Sequence, residues 1–207
     1  MTPPQPEPIT AVVFDLGGVL VQWRAEVILA RAFDDPAARA AVRASLFDSQ
    51  DWVELDRGTL SEAEALDRTA ARTGQPMTAL TRLMGIVRES LEALPDTVAL
   101  LADLHQRGVP LYCLSNMHHR SIAFLRGRYP FLAWFRGMVI SAEVNMVKPE
   151  PGIYRHLLTQ YHLEGQRTVF IDDYPANCRG AEAVGLRSLC FTTAADCRRQ
   201  LEAMLAA

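Results

Sequence analysis

Five short apolar runs punctuate the chain: Ala11 to Phe14, Pro110 to Leu114, Gly137 to Ile140, Thr168 to Ile171 and Arg187 to Phe191. They are continuous rather than alternating, which predicts strands covered on both faces. Between them the apolar spacing changes to that of helices. The clearest pattern follows Leu94, with Pro95 in the first turn, Val98, Leu101, Ala102 and Leu104 on one side, and Gly108 as the stop. Two more helices are predicted, from Glu150-Pro151 to near Gly165 and from about Pro175 to Gly185. Strand and helix in alternation predict an α/β fold, a three-layer Rossmann-like core built on a parallel sheet.

The first two runs are separated by about ninety residues without a strand pattern, far more than one crossover helix requires. Three helices are predicted there. Asp35 before Pro36 opens one through about Phe47, Ser61 with Glu64 forms a capping box for one through about Thr73, and Thr78 opens one through Leu91. This segment, residues 22–94, reads as a small helical cap inserted into a core made of residues 10–21 and 95–207. The first nine residues, with Pro at positions 3, 4, 6 and 8, read as a disordered tail.

Composition narrows the function. The chain has 207 residues, 49% hydrophobic and 22% charged, with a net charge of −3 and no run of like charge. That balance argues against a nucleic-acid or membrane-surface partner and leaves a small molecule. A positive leader followed by an apolar stretch is missing, as is any apolar run of about 18 residues, so a cytoplasmic protein is expected. The cysteines Cys113, Cys178, Cys190 and Cys197 match no zinc spacing and read as buried thiols. One number is unusual. Of 21 basic residues, 20 are Arg and one, Lys148, is Lys.

In an open parallel sheet, chemistry collects at the carboxyl ends of the strands. Asp15 follows the first run, Ser115-Asn116 the second and Asp172-Asp173 the fourth, while Lys148 lies in the loop after the third. Three acids in one crevice stay ionised only if a cation offsets their repulsion. Magnesium suits such hard oxygen ligands and keeps places for water and a phosphate oxygen. A carboxylate beside metal and phosphorus can act as nucleophile, with the Ser hydroxyl, backbone amides and the Lys ammonium holding the phosphoryl oxygens. Lys148 is a compact point charge in a chain that otherwise uses Arg, which marks it as selected for its shape.

The ordered set Val13-Phe14-Asp15-Leu16-Gly17-Gly18-Val19-Leu20, Leu114-Ser115-Asn116, Lys148-Pro149 and Phe170-Ile171-Asp172-Asp173 resembles the four motifs of the haloacid dehalogenase superfamily. The resemblance spans nearly the whole chain. It implies Asp15 as nucleophile and metal ligand, Ser115 and Asn116 as phosphate-binding, and Lys148 as the residue linking phosphate to nucleophile. It further implies a metal site of Asp15, the Gly17 carbonyl, Asp173 directly and Asp172 through water. The implied activity is that of a magnesium-dependent phosphatase acting on a small phosphorylated metabolite. One position departs from the pattern. Gly17 stands where most of the superfamily's phosphatases carry an acid/base Asp, and general acid–base help is worth about 10² to 10⁴ in rate. The Asp-Leu-Gly-Gly form resembles a branch that includes sugar-phosphate phosphatases, which implies a sugar phosphate as substrate. Two other readings stay open: a metal-independent 2-haloacid dehalogenase, and a catalytically weak phosphate-ester binder. Dehalogenases carry Ser-Ser-Asn where this chain has Asp172-Asp173-Tyr174, so the acidic pair disfavours the first of these.

Other residues carry weaker signals. His118 and His119 are candidates to supply the missing proton. Trp23, Arg24, Asp51 and Trp52 lie near the predicted mouth of the cap. Asn177 is expected to orient the acidic loop, and Tyr154, His105, His156 and His162 read as packing or surface residues. Lys148→Arg gives a direct test of the composition argument. If Lys148 is a catalytic point charge, the variant loses turnover by about 100-fold or more; a generic charge would tolerate it.

Overall fold

The continuous apolar runs become five strands: β1 (Ala11–Phe14), β2 (Leu111–Ser115), β3 (Gly137–Ile140), β4 (Thr168–Asp172) and β5 (Arg187–Cys190). The computed structural model describes residues 7–206. All strand pairs are parallel and the order is β3-β2-β1-β4-β5, so β1 is central and the connection reverses direction between β1 and β4. β2 and β4 each extend one residue beyond the predicted run. Ser115 pairs with Ile140 and Asp172 with Cys190, so both polar residues are part of the sheet itself.

Eleven helices accompany the sheet among the described residues: α1 (Ala25–Ala32), α2 (Pro36–Val42), α3 (Gln50–Arg57), α4 (Glu62–Thr73), α5 (Met77–Glu89), α6 (Pro95–Gln106), α7 (His119–Arg128), α8 (Ser141–Val144), α9 (Pro151–Gln160), α10 (Pro175–Glu182) and α11 (Ala194–Leu205). The period-2 geometry of the strands divides the core in two. Val12, Phe14, Cys113, Val169 and Ile171 face one side and pack with α6, α7 and α11. Val13, Tyr112, Leu114 and Phe170 face the other and pack with Ile153, Tyr154 and Leu157 of α9 and Ala181 of α10. This is the three-layer arrangement that the alternation predicts.

Helices α1 to α5 pack on a separate apolar cluster, with Ile28, Leu29, Val42, Leu46, Leu55, Leu66, Leu80, Leu83 and Met84 buried. Asp35 accepts from the Ala37 and Ala38 amides, and Ser61 with Glu64 forms the reciprocal capping box. The predicted helix from Pro36 to Phe47 is α2 followed by a π turn over Arg43–Phe47. Two cap helices lack a sequence signal: α1 and α3 are eight residues each and neither has a side-chain N-cap bond. Short helices without caps depend on tertiary packing. The helix expected to reach Gly165 stops at Gln160, and His162 follows in the left-handed region at φ 53°.

Of the segment expected as a tail, residues 1–6 lie outside the described ones. Ile9 packs into the main core, and the Thr10 amide donates to the Arg167 carbonyl at 2.8 Å. No helix of the described residues is long and apolar enough to cross a membrane. All four cysteines are free; Cys113, Cys178 and Cys197 are buried as expected, whereas Cys190 is exposed.

Ser61→Ala removes one half of the α4 capping box. The expected cost is about 1 kcal/mol, seen in thermal denaturation as a fall of about 2–4 °C for a chain of this size.

Candidate active site

The reversal of strand connection between β1 and β4 leaves a crevice at their carboxyl ends, and Asp15 and Asp172 stand there side by side. Phe14 is level with Ile171, and the Asp15 amide donates to the Ile171 carbonyl at 2.9 Å. The two carboxylates would repel each other in this buried position. Lys148 resolves the conflict: its Nζ lies 2.9 Å from Asp15 Oδ1 and 2.6 Å from Asp172 Oδ2, and donates to the Leu114 carbonyl at 3.1 Å. The Lys148 side chain is 1% exposed, so little water competes with these contacts. The Phe170 ring lies 5.4 Å from the ammonium and adds its π face to the same cation.

Further groups hold this pair in place. Asn177 Nδ2 lies 3.0 and 3.1 Å from the two Asp172 oxygens, and the Tyr174 amide donates to Oδ1 at 2.8 Å. Tyr154, fully buried, donates its hydroxyl to the Asn177 carbonyl at 2.8 Å. Asn177 thus orients the acidic loop as expected, and Tyr154 does more than fill space. Asn116 clamps the backbone of Lys148 from both sides, its Nδ2 donating to the Lys148 carbonyl at 2.9 Å and its Oδ1 accepting from the Lys148 amide at 2.8 Å. The Asn116 side chain is therefore committed to placing Lys148, and a phosphate contact would fall to its backbone.

Two oxygens near the bridge remain without a hydrogen-bond partner. Asp15 Oδ1 accepts from Lys148 and from the Leu16 amide at 2.7 Å, while Oδ2 accepts no hydrogen bond among the described residues. Ser115 Oγ is buried without a partner in good hydrogen-bond geometry, although it lies near enough to Asp15 to favour that carboxylate's ionised form. A buried hydroxyl left unpaired costs roughly 1–3 kcal/mol, which a bound polar ligand would recover. Asp15, Asp172 and Asp173 each bring an oxygen within 4.8 Å of the others. Both Asp172 oxygens already accept from protein donors, so direct coordination of a cation would fall to Asp15 and Asp173. Three carboxylates and one ammonium leave two negative charges, which one divalent cation would cancel. The donors are all oxygens, so the residues fit magnesium.

Burial raises Asp15 to about 7, the Lys148 ammonium opposing this and the Asp172 carboxylate adding to it. Burial and the Asp172 charge raise Asp173 as well. For Lys148, burial works against the charged form, but the two carboxylates outweigh it and the net shift is upward. The ammonium stays charged.

Gly18 has a role that the motif did not disclose. It adopts φ 73°, and a Cβ there would lie 2.1 Å from Asp173 Oδ2. Only glycine lets that carboxylate lie against the β1 loop. At Gly17 the opposite holds, since an added Cβ would meet nothing nearer than Trp23 Cβ at 3.9 Å.

A cavity of about 480 Å³ opens above these residues, floored by Asp15, Gly17, Lys148 and Asp173 and walled by the cap. Trp23, Phe47 and Trp52 form one aromatic wall, with ring centroids 4.7 to 5.8 Å apart. Both tryptophans therefore face the cavity. Asp51 does not; it is held inside the cap by Arg68 at 2.9 Å and by Arg72. Arg24 and His119 are outside the lining. His118 lines the cavity, but its Nε2 is 2.8 Å from Ser121 Oγ, and burial with the nearby Arg88 and Arg120 charges lowers it to about 4. Its ring is thus engaged by Ser121 and its surroundings favour the neutral form over the imidazolium that a proton donor requires. The cavity also contains Asp56, at the end of α3, for which the sequence offered no signal.

An acid-lined crevice with a buried lysine at the carboxyl edge of a parallel sheet, closed by a helical cap, defines a hydrolase site. The chain belongs to the haloacid dehalogenase-like hydrolases, whose family profile matches residues 9–185. It is 26% identical over 182 residues to a sesquiterpene phosphatase of Aspergillus oryzae, covering 88% of this chain and 89% of that one. Among solved structures it is similar to a haloacid dehalogenase family enzyme of Bacteroides thetaiotaomicron solved with magnesium and inorganic phosphate. The TM-score is 0.74 at 22% identity, over 89% of this chain and 94% of that one. An L-2-haloacid dehalogenase gives a TM-score of 0.72, also at 22% identity, over 97% of this chain and 100% of that one. The fold alone thus accommodates both phosphorus and carbon chemistry.

Gly18→Ala should push the Asp173 carboxylate out of place. Magnesium titration by calorimetry is expected to show binding weakened by about 10–100-fold, the range for a disturbed metal-ligand support, with little change in the far-ultraviolet circular dichroism.

Proposed function

We propose that this hydrolase is a magnesium-dependent phosphatase of small phosphate monoesters. The observation that carries this reading is the cluster of Asp15, Asp172 and Asp173 oxygens within 4.8 Å of one another around a buried lysine. A dehalogenase attacks carbon and has no use for a third carboxylate. The sesquiterpene phosphatase relative and the neighbour solved with magnesium and phosphate support the same reading.

In this mechanism Asp15 Oδ2 attacks phosphorus and the ester oxygen leaves with its bonding electrons, giving an aspartyl-phosphate. Water then attacks phosphorus and returns Asp15. Lys148 fixes the attack geometry by holding Oδ1, and it stabilises charge on the phosphoryl oxygens. The Ser115 hydroxyl and the loop amides take the remaining phosphoryl oxygens. Asp15, Asp173, Asp172 and the Gly17 carbonyl are the groups that would hold the magnesium. Bound there, the ion neutralises phosphoryl charge and favours the ionised form of Asp15.

For the organic part of the substrate, the first motif supports a sugar phosphate. The aromatic wall, together with Val53, Val87 and Leu91, offers mainly apolar contact, and 480 Å³ is a size for a small metabolite. That wall suits a sugar through one ring face, and it suits an apolar alcohol through its whole length. The observation favours a phosphate monoester with an apolar face.

A panel of sugar, prenyl and aryl phosphates assayed for phosphate release with magnesium tests this. Asp15→Asn and exhaustive chelation are each expected to lower release by at least about 10³-fold, the scale for losing a nucleophile or a principal charge stabiliser. Undiminished phosphate release after chelation would overturn the magnesium dependence, and no release from any ester together with halide release from a 2-haloacid would return the dehalogenase reading.

A further inference from the structure

The reading as a phosphatase leaves one chemical gap. A departing alcohol oxygen needs a proton, the later attacking water must lose one, and Gly17 can serve neither. The other titratable groups of the cavity are already engaged. Lys148 is shared between Asp15 and Asp172, and Asp173 belongs to the proposed metal site. Asp48 is paired with Arg43 at 2.9 Å and is largely exposed, as is Tyr174. His118 is bonded to Ser121.

Asp56 is the group that remains, and the core holds it in place although it belongs to the cap. Its backbone carbonyl accepts from Ser141 Oγ, and the same Oγ accepts from the Met117 amide at 2.8 Å. Asp56 is thereby tied through one hydroxyl to the loop that follows Ser115 and carries Asn116. The next residue, Arg57, makes a bidentate pair with Glu150 at 2.8 and 2.6 Å, and its carbonyl accepts from Asn145 at 3.1 Å. Gly58, at φ 80°, lies so close to α8 that an added Cβ would be 2.5 Å from the Ala142 carbonyl. Three successive cap residues are thus fastened to the segment 141–150 that delivers Lys148. A cap residue with this anchorage keeps its position relative to Asp15 better than one held by the cap alone.

We propose that Asp56 is the catalytic acid and base of this enzyme, supplied from the cap in place of a side chain at Gly17. This rests on the phosphatase reading. As Asp15 Oδ2 bonds to phosphorus, the phosphorus–ester oxygen bond breaks with its electron pair on the alcohol oxygen, which takes the Asp56 proton. The Asp56 carboxylate then takes a proton from water as that oxygen bonds to phosphorus, and the phosphorus–oxygen bond to Asp15 breaks with its pair returning to Asp15. The sum is ester plus water to alcohol plus phosphate, with Asp56 protonated again. Gly17 and Asp56 line the same cavity, and a Cβ at Gly17 would meet nothing nearer than Trp23 Cβ at 3.9 Å, so the space that a side chain there would take is open to the substrate.

The charge environment agrees with the geometry. Burial raises Asp56 to about 7; the His118 backbone N–H and the Trp52 indole N–H favour its ionised form, the Asp15 charge disfavours it, and the Lys148 charge favours it. The charges flanking it on α3 and α8 are neutralised locally, Arg57 by Glu150 and Glu143 by Arg126. A carboxyl near 7 can give and take a proton at the same pH.

The test compares two substrates, an alkyl phosphate with a poor leaving group and p-nitrophenyl phosphate with a good one, on the magnesium-loaded wild type, Asp56→Asn and Asp56→Glu. With the alkyl ester, Asp56→Asn should lose about 10² to 10⁴ in kcat. In the wild type that rate should fall as pH rises above the Asp56 value, and this limb should vanish in the variant. With p-nitrophenyl phosphate, Asp56→Asn should release a burst of one nitrophenolate per enzyme and then turn over slowly, because departure needs no proton while water attack still needs a base. Asp56→Glu, which keeps the carboxyl, should recover part of the alkyl rate. Equal losses on both esters without a burst, or no loss on the alkyl ester, would overturn the assignment while leaving the phosphatase reading standing. A wild type inert toward both esters would instead overturn that reading, and this assignment with it.

Discussion

The structure of this site depends on one buried cation. Lys148 places a single ammonium between Asp15 and Asp172 at 2.9 and 2.6 Å, where two carboxylates on neighbouring strands would otherwise face each other without solvent. Such an arrangement is weak evidence for stability, because desolvation consumes most of the attraction. It is strong evidence for positioning. Removing one partner leaves a buried charge uncompensated at a cost of roughly 3–5 kcal/mol, so the three residues stand or fall together. Asn116 and Asn177 then make sense as the groups that fix the two ends of the bridge, and Tyr154 as the support of Asn177.

The second dependence runs between core and cap. The segment 141–150 carries Lys148 into the crevice, and the same segment grips Asp56, Arg57 and Gly58 of the cap. Lys148, the partner of Asp15, and Asp56, the cap carboxylate that lines the cavity without an ion pair among the described residues, are therefore placed by one stretch of chain. A further bridge, Arg88 and Arg120 both on Glu62 at 2.9 and 2.8 Å, joins α5, α4 and α7. Closure of the cap over a substrate would thus be governed on this side by polar contacts and on the other by the aromatic wall.

Much of this was legible in the sequence because it follows from periodicity and strand ends. Continuous apolar runs gave the buried strands, and the residues that follow them gave Asp15, Ser115, Asn116, Lys148, Asp172 and Asp173. The single lysine among twenty arginines pointed to the buried cation before any geometry did. Other features were hidden for physical reasons. α1 and α3 are short and lack side-chain caps, so their stability lies in the contacts of Ile28, Leu29 and Leu55 rather than in local signals. Asp56 was invisible because α3 was, and because its position depends on Ser141, eighty-five residues away. Asn116 reads as a ligand-binding residue from its motif, yet its side chain is spent on the Lys148 backbone, an allocation that only tertiary structure reveals. Gly18 offered a signal, the second glycine of Asp-Leu-Gly-Gly, whose cause is the approach of Asp173.

On the phosphatase reading, the buried bridge holds Asp15 with one oxygen engaged and leaves the other to bond phosphorus. The most direct measurement is rapid acid quench of the magnesium-loaded enzyme during turnover of a phosphate monoester, followed by mass-spectrometric mapping of the phosphorylated peptide. A phosphoryl group is expected on Asp15 at early times and should disappear as substrate is exhausted. Turnover with no phosphoryl group on Asp15 at any time, or with the group on another residue, would contradict it.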